Sequence, residues 1–180
     1  VYKRQDDDLK EIYGTGKDKL TPLACAYLRA RGADPLCSFG DFIALSREVD
    51  RETALLIRKL VSDGIIAPSY TNEAKEILKQ KKKGAFIILQ ADGNEPLSEE
   101  PEYREVHGTV FRQQRNSIKL SKENLLGNIV THNQELSEDA CRDLVLASIS
   151  IKYTQSNSVG YALNGQMIGI GAGQQSRVDC

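Results

Sequence analysis

Residues 42–68, FIALSREVDRETALLIRKLVSDGIIAP, decide the fold class of this chain. The apolar run Phe42–Leu45 predicts a short buried strand. Asp50 is a suitable N-cap for a helix that ends near Leu60, because the apolar residues between them recur at helical spacing. Gly64–Ala67 predicts a second strand, which the following proline closes. A strand, a helix and a strand in this order indicate an α/β unit.

Both sides of this stretch continue the alternation. Upstream, Thr21 followed by a proline predicts a helix that ends at Gly32. Downstream, Glu73–Lys83 predicts a third helix, whose lysine cluster is interpreted as a solvated helix end. Ala85–Gln90 predicts a strongly apolar strand. We therefore expect residues 6–90 to form the first unit of a layered α/β/α fold, with sheets flanked by helices.

The rest of the chain predicts a connection and then the start of a second, truncated α/β unit over residues 137–180. Residues 91–136 are interpreted as the connecting segment. It contains an acidic loop at Ala91–Pro101 and an extended stretch at Val106–Phe111. At the other end of the chain, Val1–Gln5 is interpreted as a sequencing artefact and takes no part in the fold prediction.

The second unit combines a helix with a hairpin. Ser137 is the predicted N-cap of an amphipathic helix that runs to about Lys152. The strands Ser158–Leu163 and Gln166–Ile170 follow, joined by Asn164–Gly165. This pair predicts a two-residue hairpin turn, because both residues tolerate positive φ.

Composition excludes several classes of protein. The 24 lysines and arginines nearly balance the 25 aspartates and glutamates, so the basic surface of a nucleic-acid-binding protein is not expected. No apolar run approaches the roughly 20 residues that a bilayer span needs, so we expect a cytoplasmic protein without a membrane partner. The four scattered cysteines are interpreted as reduced structural thiols, and His107 and His132 as ordinary surface residues.

Two neighbouring polar segments could bind a ligand. Lys152–Ser158, KYTQSNS, lies between apolar elements, where binding loops occur, although a connection that satisfies helix-end carbonyls explains it equally well. Gly169–Arg177, GIGAGQQSR, places three alternating glycines after a strand, with an arginine beyond them. This spacing is not the dinucleotide fingerprint, and Gly14–Lys17 lacks the full phosphate-loop pattern.

Together these segments resemble the signature of AICAR transformylases. The matching motifs are KYTQSNSV with YA, then NGQ, then GIGAGQQSR. Further family motifs precede them in the same order, at Leu20–Pro22, Ala30–Asp34, Ser38–Leu45 and Ser62–Pro68. The resemblance runs from about Leu20 to Arg177 and implies a fold similar to that of cytidine deaminases. The zinc deaminase signature, H-x-E with P-C-x-x-C, is absent.

The resemblance implies an activity in de novo purine biosynthesis. The amine of AICAR would attack the formyl group of 10-formyltetrahydrofolate, giving FAICAR. The full-length protein would also be an IMP cyclohydrolase, and it would form a homodimer with shared active sites. The catalytic Lys-His pair of the family is expected upstream of this chain, so we expect no formyl transfer by the chain alone. The alternatives are a non-catalytic module that binds nucleotide or phosphate, and a degenerate fragment without function.

The resemblance also assigns roles to single residues. Gly40 and Asp63 would bind AICAR, with Asp63 accepting hydrogen bonds from the ribose hydroxyls. Asn157 would orient the carboxamide and the reacting formyl group, and would stabilise developing oxyanion charge. Arg177 would bind near the base, and Val178 would lie on the folate side.

The end of the predicted second-unit helix receives two further assignments. Lys152 could be a general acid or an oxyanion clamp, although capping of helix-end carbonyls explains it at least as well. In some members of the family a structural monovalent cation, expected to be K⁺, is held by oxygens at four positions. In this chain they correspond to Ile151, Thr154, Ser156 and Ser158.

Overall fold

The computed structural model describes residues 20–93 and 98–180. In the first range three α-helices alternate with three strands: α1 (Pro22–Gly32), β1 (Asp41–Ala44), α2 (Arg51–Lys59), β2 (Ser62–Ala67), α3 (Asn72–Lys79) and β3 (Ile87–Gln90). The second range contains β4 (Glu102–Val106), β5 (Thr109–Gln113), α4 (Lys122–Leu126), α5 (Glu138–Lys152), β6 (Val159–Leu163) and β7 (Gln166–Gly171). A parallel sheet flanked by helices confirms the predicted layered α/β class.

No helix within residues 20–93 and 98–180 is long and apolar enough to cross a membrane. The predicted artefact Val1–Gln5 and the glycine-containing segment Gly14–Lys17 lie outside the described residues.

Side-chain hydrogen bonds confirm the three N-caps that the sequence predicts. Thr21 Oγ1 accepts the N–H of Ala24 at 3.3 Å, and Asp50 Oδ1 accepts the N–H of Thr53 at 2.8 Å. Ser137 caps α5 in the same way. Thr21 Oγ1 also donates to Asp50 Oδ2 at 2.7 Å, so the two caps join the starts of α1 and α2.

The central sheet has the strand order β1-β2-β3, with every pair parallel. Ile43, Ile65 and Ile88 lie side by side on one of its faces. That face packs against the helices, and the removal of apolar surface from water there is the main stabilising contribution. The buried cluster consists of Ala24, Tyr27, Leu28, Ile43, Val49, Ala54, Leu56, Ile57, Ile65, Ala67, Ala74, Leu78 and Phe86.

The opposite face of the sheet lacks a covering layer within the described residues. Phe42 is 48% exposed and Ile87 is 50% exposed. The strand predicted at Phe42–Leu45 forms as β1, but the prediction that it is buried is wrong, since only Ile43 is buried. Successive side chains of a strand point to opposite faces, and helices cover only one of them. The Phe42 ring lies over Gly64, where an added Cβ would come within 2.3 Å of the ring.

The third helix is shorter than the sequence predicts. The pattern favours a helix to Lys83 and a strand from Ala85, whereas α3 ends at Lys79 and β3 begins at Ile87. Between them, Lys81–Gly84 forms a 3₁₀ turn in which two lysines have left-handed φ values of 51° and 55°. A right-handed helix cannot continue through such residues.

Lys81 explains the early end of the helix. Its Nζ donates a hydrogen bond to the carbonyl of Leu60, just beyond the end of α2, and lies 5.3 Å from the centre of the Phe86 ring. Burial, followed by the charges of Lys82 and Arg31, lowers the pKa of Lys81. The interpretation of the lysine cluster as a solvated helix end is therefore wrong for Lys81.

The connecting segment is more ordered than predicted. Val106–Phe111 was expected to be one extended stretch, but it is the tip of an antiparallel hairpin formed by β4 and β5. His107 and Gly108 reverse the chain there with φ values of 50° and 76°. The prediction also lacks the short helix α4, which begins with a reciprocal capping box between Ser121 and Asn124.

Helix α5 and the hairpin β6–β7 form as predicted. Asn164 and Gly165 make the turn, with φ values of 53° and 73°. Strand β6 lies close to α5, as the space at Gly160 shows. An added Cβ on this glycine would be 2.8 Å from Cδ1 of Ile151. Within residues 98–180 only Cys141, Asp143 and Met167 are buried.

Candidate functional site

Gly40 and Asp63 come together at the entrance of the parallel sheet. Gly40 immediately precedes β1, and Asp63 is the second residue of β2. The N–H of Gly40 donates to the carbonyl of Val61 at 3.2 Å. Gly40 has a φ of 80°, which favours glycine, and open space surrounds the position of a Cβ. We call Gly40, Asp41, Val61 and Asp63 the sheet-entrance group.

A buried arginine holds the sheet-entrance group. Arg31 Nη1 lies 2.9 Å from Asp41 Oδ1, an ion pair without good hydrogen-bond alignment. Arg31 Nη2 donates to the Val61 carbonyl at 3.1 Å, the same oxygen that accepts from Gly40. Through these two contacts Arg31 fixes the loop before β1. Truncation of Arg31 would leave Asp41 and the Val61 carbonyl without this partner.

Asp63 already has a cationic partner. Its carboxylate pairs with Nζ of Lys82, and both side chains are substantially exposed. A hydroxyl-bearing ligand that binds Asp63 therefore meets the Lys82 ammonium as well. A cleft of about 370 Å³ lies beside this group, between α1 and β1, and Arg31 and Asp41 are among its lining residues.

Asn157 connects the two polar segments that the sequence identifies as candidates for ligand binding. Its Nδ2 donates to the carbonyls of Gln174 and Gln175 at 3.2 Å each. The N–H of Gln174 donates back to the Asn157 carbonyl at 3.3 Å, and Sγ of Cys180 approaches the same oxygen at 3.3 Å. The Ser156–Asn157 peptide bond is cis. We call residues 153–158 and 172–177 the asparagine wall.

The orientation of the Asn157 amide decides what it can offer a ligand. Two carbonyl oxygens face one end of the amide, so that end is the NH₂ group. No hydrogen bond within the described residues uses Oδ1. The side chain therefore presents an acceptor, suited to an N–H of a carboxamide or amine. Donation to an oxyanion would require Asn157 to give up a bond to Gln174 or Gln175.

Lys152 does not cap the end of its own helix. Its Nζ donates to the carbonyl of Ile118 at 2.8 Å, in the loop before α4, and lies 5.2 Å from the Tyr153 ring centre. The helix end is satisfied locally, by the N–H of Tyr153 and by Oγ1 of Thr154, both of which donate to Ser150.

The four residues assigned to a monovalent cation lie in one short segment that begins in the last turn of α5 and continues beyond its end. The carbonyl of Ile151 accepts the N–H of Thr154 at 3.1 Å. Carbonyl and hydroxyl oxygens are suitable ligands for a hard cation, so the residue types of this segment fit K⁺. Ile151, Thr154, Ser156 and Ser158 would hold it.

The three alternating glycines have different surroundings. A Cβ on Gly169 would meet nothing within 4 Å, whereas one on Gly171 would lie 2.5 Å from the carbonyl oxygen of Cys180. Gly173 has a φ of 64°, and its N–H donates to the Gln155 carbonyl at 2.9 Å. The amide of Gly173 is therefore not free for a ligand.

The last two predicted ligand residues point into solvent. Arg177 is exposed, and no hydrogen bond or ion pair within residues 20–93 and 98–180 holds its guanidinium. Val178 is 96% exposed. Both follow the asparagine wall directly, so they are accessible to a ligand that lies against it.

The structure thus brings the predicted ligand residues together as two groups. No hydrogen bond or ion pair between described residues joins the sheet-entrance group to the asparagine wall. The link between them runs through α1, because Nη1 of Arg29 donates to the Asn164 carbonyl at 3.3 Å, in the turn of the hairpin. A cavity of about 350 Å³ lies between α1, α5 and the hairpin β6–β7.

Sequence reasoning missed four supporting residues. Arg31 and Asp41 lie inside the quoted motifs, but only the fold shows that they pair. Lys82 was assigned to a solvated helix end, and its contact with Asp63 depends on the left-handed turn. Asp143 gives little signal in the sequence, because Glu138, Asp139 and Arg142 are also charged residues in the first half of α5.

The fold and the two groups define a layered α/β domain that presents polar, glycine-containing ligand loops. The chain belongs to the AICARFT/IMPCHase bienzyme family, whose profile matches residues 14–180. It is 35% identical over 157 residues to the bifunctional purine biosynthesis protein PurH of Corynebacterium glutamicum, covering 87% of this chain and 29% of that protein. The protein of the same name from Acetivibrio thermocellus is 36% identical over 153 residues, covering 85% and 29%. The chain therefore spans less than a third of the length of these relatives.

Proposed function

We propose that this sequence forms part of an AICAR transformylase site in purine biosynthesis. The observation that carries the proposal is the asparagine wall, in which Asn157 joins the two signature segments and presents an unused amide oxygen. Membership of a family of bifunctional purine-biosynthesis enzymes supports it. The reaction would transfer a formyl group from 10-formyltetrahydrofolate to the amine of AICAR.

In this reaction the amine nitrogen of AICAR forms a bond to the formyl carbon. The bond from that carbon to N10 of the folate breaks, the amine loses a proton, and N10 gains one. Asn157 Oδ1 would accept an N–H of the carboxamide and so orient the weak nucleophile. Asp63 would accept hydrogen bonds from the ribose hydroxyls, beside Lys82. Arg177 would contact the base, and Val178 would contact the folate.

The proposal extends to the properties that the family resemblance implies. These are a cytoplasmic homodimer with shared active sites, an IMP cyclohydrolase activity in the full-length protein, and K⁺ at the end of α5. A monovalent cation would supply positive charge that holds the asparagine wall in place. Lys152 would act only through the loop that it holds, because its ammonium is bound to the Ile118 carbonyl.

Calorimetric titration of the chain with AICAR and with 10-formyltetrahydrofolate tests the proposal. We expect both to bind, and we expect Asn157→Asp and Asp63→Asn to weaken AICAR binding about 10-fold or more. The first change removes the NH₂ group that holds the carbonyls of Gln174 and Gln175, and the second removes the charge of the proposed ribose acceptor. Glu76→Gln, on the exposed surface of α3, is the control and should leave both affinities unchanged.

Two results would contradict formyl transfer as the function. Binding of AICAR without any binding of the folate would favour the non-catalytic nucleotide module. Equal affinity of the wild type and the Asn157→Asp variant for AICAR would remove the asparagine wall from the site.

A further inference from the structure

Asp143 is a buried carboxylate that the proposed reaction does not use. It lies in the second turn of α5 and is 8% exposed. Its Oδ2 accepts the N–H of Asn164 at 2.7 Å and its Oδ1 accepts the N–H of Gly165 at 2.7 Å. Arg142 Nη2 lies 3.3 Å from Oδ1. A buried carboxylate is tolerated because charge-assisted hydrogen bonds replace its hydration.

The two N–H groups that Asp143 accepts belong to the central residues of the hairpin turn. In a two-residue turn the strand ladder does not use these groups, so they ordinarily donate to water. Here one side chain of α5 holds both of them. The turn is consequently held at one position on the helix.

The carbonyl of the same turn is also held. Arg29 of α1 donates to the Asn164 carbonyl at 3.3 Å. Two residues further along α1, Arg31 holds the Val61 carbonyl and so the sheet-entrance group. The turn therefore receives contacts from two helices, from Asp143 of α5 on one side and from Arg29 of α1 on the other.

The far end of the hairpin carries the asparagine wall. Strand β6 begins two residues after Asn157, and β7 ends one residue before the wall's second segment. A short paired ribbon transmits a shift of its turn to its other end, because ladder hydrogen bonds keep the strands in register.

We propose that Asp143 is a positioning residue for the asparagine wall: by holding the Asn164–Gly165 turn, it sets where Asn157 stands relative to the sheet-entrance group. The residue does not touch the ligand. This inference rests on the proposed function for its ligand, AICAR, but its structural part can be tested without any ligand.

The test compares Asp143→Asn with Asp139→Asn in the 180-residue chain. The amide introduced by Asp143→Asn would turn an NH₂ group toward one of the two turn N–H groups, whereas Asp139 is exposed in the first turn of α5 and contacts only Arg142. The first readout is the NMR signal of the Asn157 side-chain amide and of the Gln174 and Gln175 backbone amides. The second readout is the calorimetric affinity for AICAR.

We expect Asp143→Asn to shift the three signals of the asparagine wall and to weaken AICAR binding about 10-fold or more, because a displacement of about 1 Å in a site has effects up to about 100-fold. Asp139→Asn should change neither. A residue that only stabilises the fold would lower the unfolding temperature and leave the wall signals of the folded protein unchanged, which would overturn the proposal.

Two further outcomes of this experiment are also decisive. If the wild type does not bind AICAR, the proposed function fails, while the wall signals still decide the positioning role. If Asp143→Asn does not fold, Asp143→Ser is measured instead, because its hydroxyl oxygen can accept one of the two N–H groups. Failure of both variants to fold would show a purely structural residue and overturn the proposal.

Discussion

The parallel-sheet region and the hairpin region of this molecule are stabilised in different ways. The sheet β1-β2-β3 and its helices enclose a cluster of thirteen buried apolar residues. The region from α5 to the end of β7 has few buried side chains in the described structure, and the carboxylate of Asp143 is one of them. Burial of apolar area supports the first region, whereas specific hydrogen bonds to Asp143 and Asn157 support the second.

The two kinds of stabilisation differ in how precisely they fix a position. Apolar burial is non-directional and tolerates small shifts, so it stabilises the sheet as a whole, while contacts of Arg31 and Lys82 hold the sheet-entrance group at its edge. Hydrogen bonds fix positions, and in the hairpin region they hold Asn157, a predicted ligand residue. Four predictions challenge this comparison, beginning with the largest effect.

Truncation of the apolar core should separate the two regions most strongly. Ile65→Ala removes a fully buried side chain from the middle of the sheet and should lower the free energy of unfolding by about 2–5 kcal/mol. Leu144→Ala in α5 is the matched change in the hairpin region, where the side chain is exposed, and should cost less than about 1 kcal/mol. Urea denaturation followed by circular dichroism measures both. Equal losses of unfolding free energy in the two variants would show that the two regions are not stabilised in different ways.

The second prediction concerns Lys81, a buried polar tether of the sheet region. Lys81→Met should lower the free energy of unfolding by about 1–3 kcal/mol, because the Leu60 carbonyl loses its buried partner. Lys83→Met is the control, since this lysine is exposed in the same turn. If the two variants unfold at the same urea concentration, Lys81 is as dispensable as a surface lysine.

The third prediction uses two glycines of β7. Gly171→Ala should destabilise the hairpin region by about 1–3 kcal/mol, because the new Cβ would collide with backbone atoms of Cys180. Gly169→Ala faces open space and should be close to neutral. Hydrogen exchange at the amides of residues 159–171 reports the loss locally. Faster exchange in the sheet as well would show that the two regions unfold together.

The fourth and smallest effect is the pH dependence that Asp143 contributes. Burial alone would raise the pKa of Asp143, but the N–H groups of Gly165 and Asn164 and the side chain of Arg142 outweigh it and leave the pKa below its ordinary value of 3.8. The carboxylate therefore stabilises the folded chain fully above its unfolded pKa, and this contribution is lost as the pH falls through the lower folded value.

Unfolding of the wild type and of Asp143→Asn between about pH 6 and pH 3 measures this contribution. The wild type should be the more stable at the upper end, and the difference should shrink as the pH falls. A difference that stays constant over the range would mean that Asp143 is not ionised when it holds the turn.

The sequence predicts the elements that local rules control. Thr21, Asp50 and Ser137 are caps because their side chains reach their own helix, and Asn164–Gly165 is a turn because both residues accept positive φ. Residues that act across the fold escape these rules. Lys81 belongs to a lysine cluster in the sequence, and only the neighbouring end of α2 turns it inward.

The candidate site shows the same division. The motifs around Gly40, Asp63 and Asn157 predict the ligand residues through resemblance, and the structure places these residues at a strand entrance and in a loop. The sequence does not show that Asp63 pairs with Lys82 or that the Asn157 NH₂ group is already engaged, because both contacts join segments that are distant along the chain.

The grip of Asp143 on the hairpin turn also affects how the protein ages. An asparagine followed by glycine is prone to lose ammonia, because the glycine nitrogen can attack the side-chain amide carbon and close a succinimide ring. In this turn the nitrogen of Gly165 is held by its hydrogen bond to Asp143. We therefore expect Asn164 to lose ammonia more slowly in the folded chain than in the unfolded chain. The extent of this loss would then record how long the chain has spent unfolded.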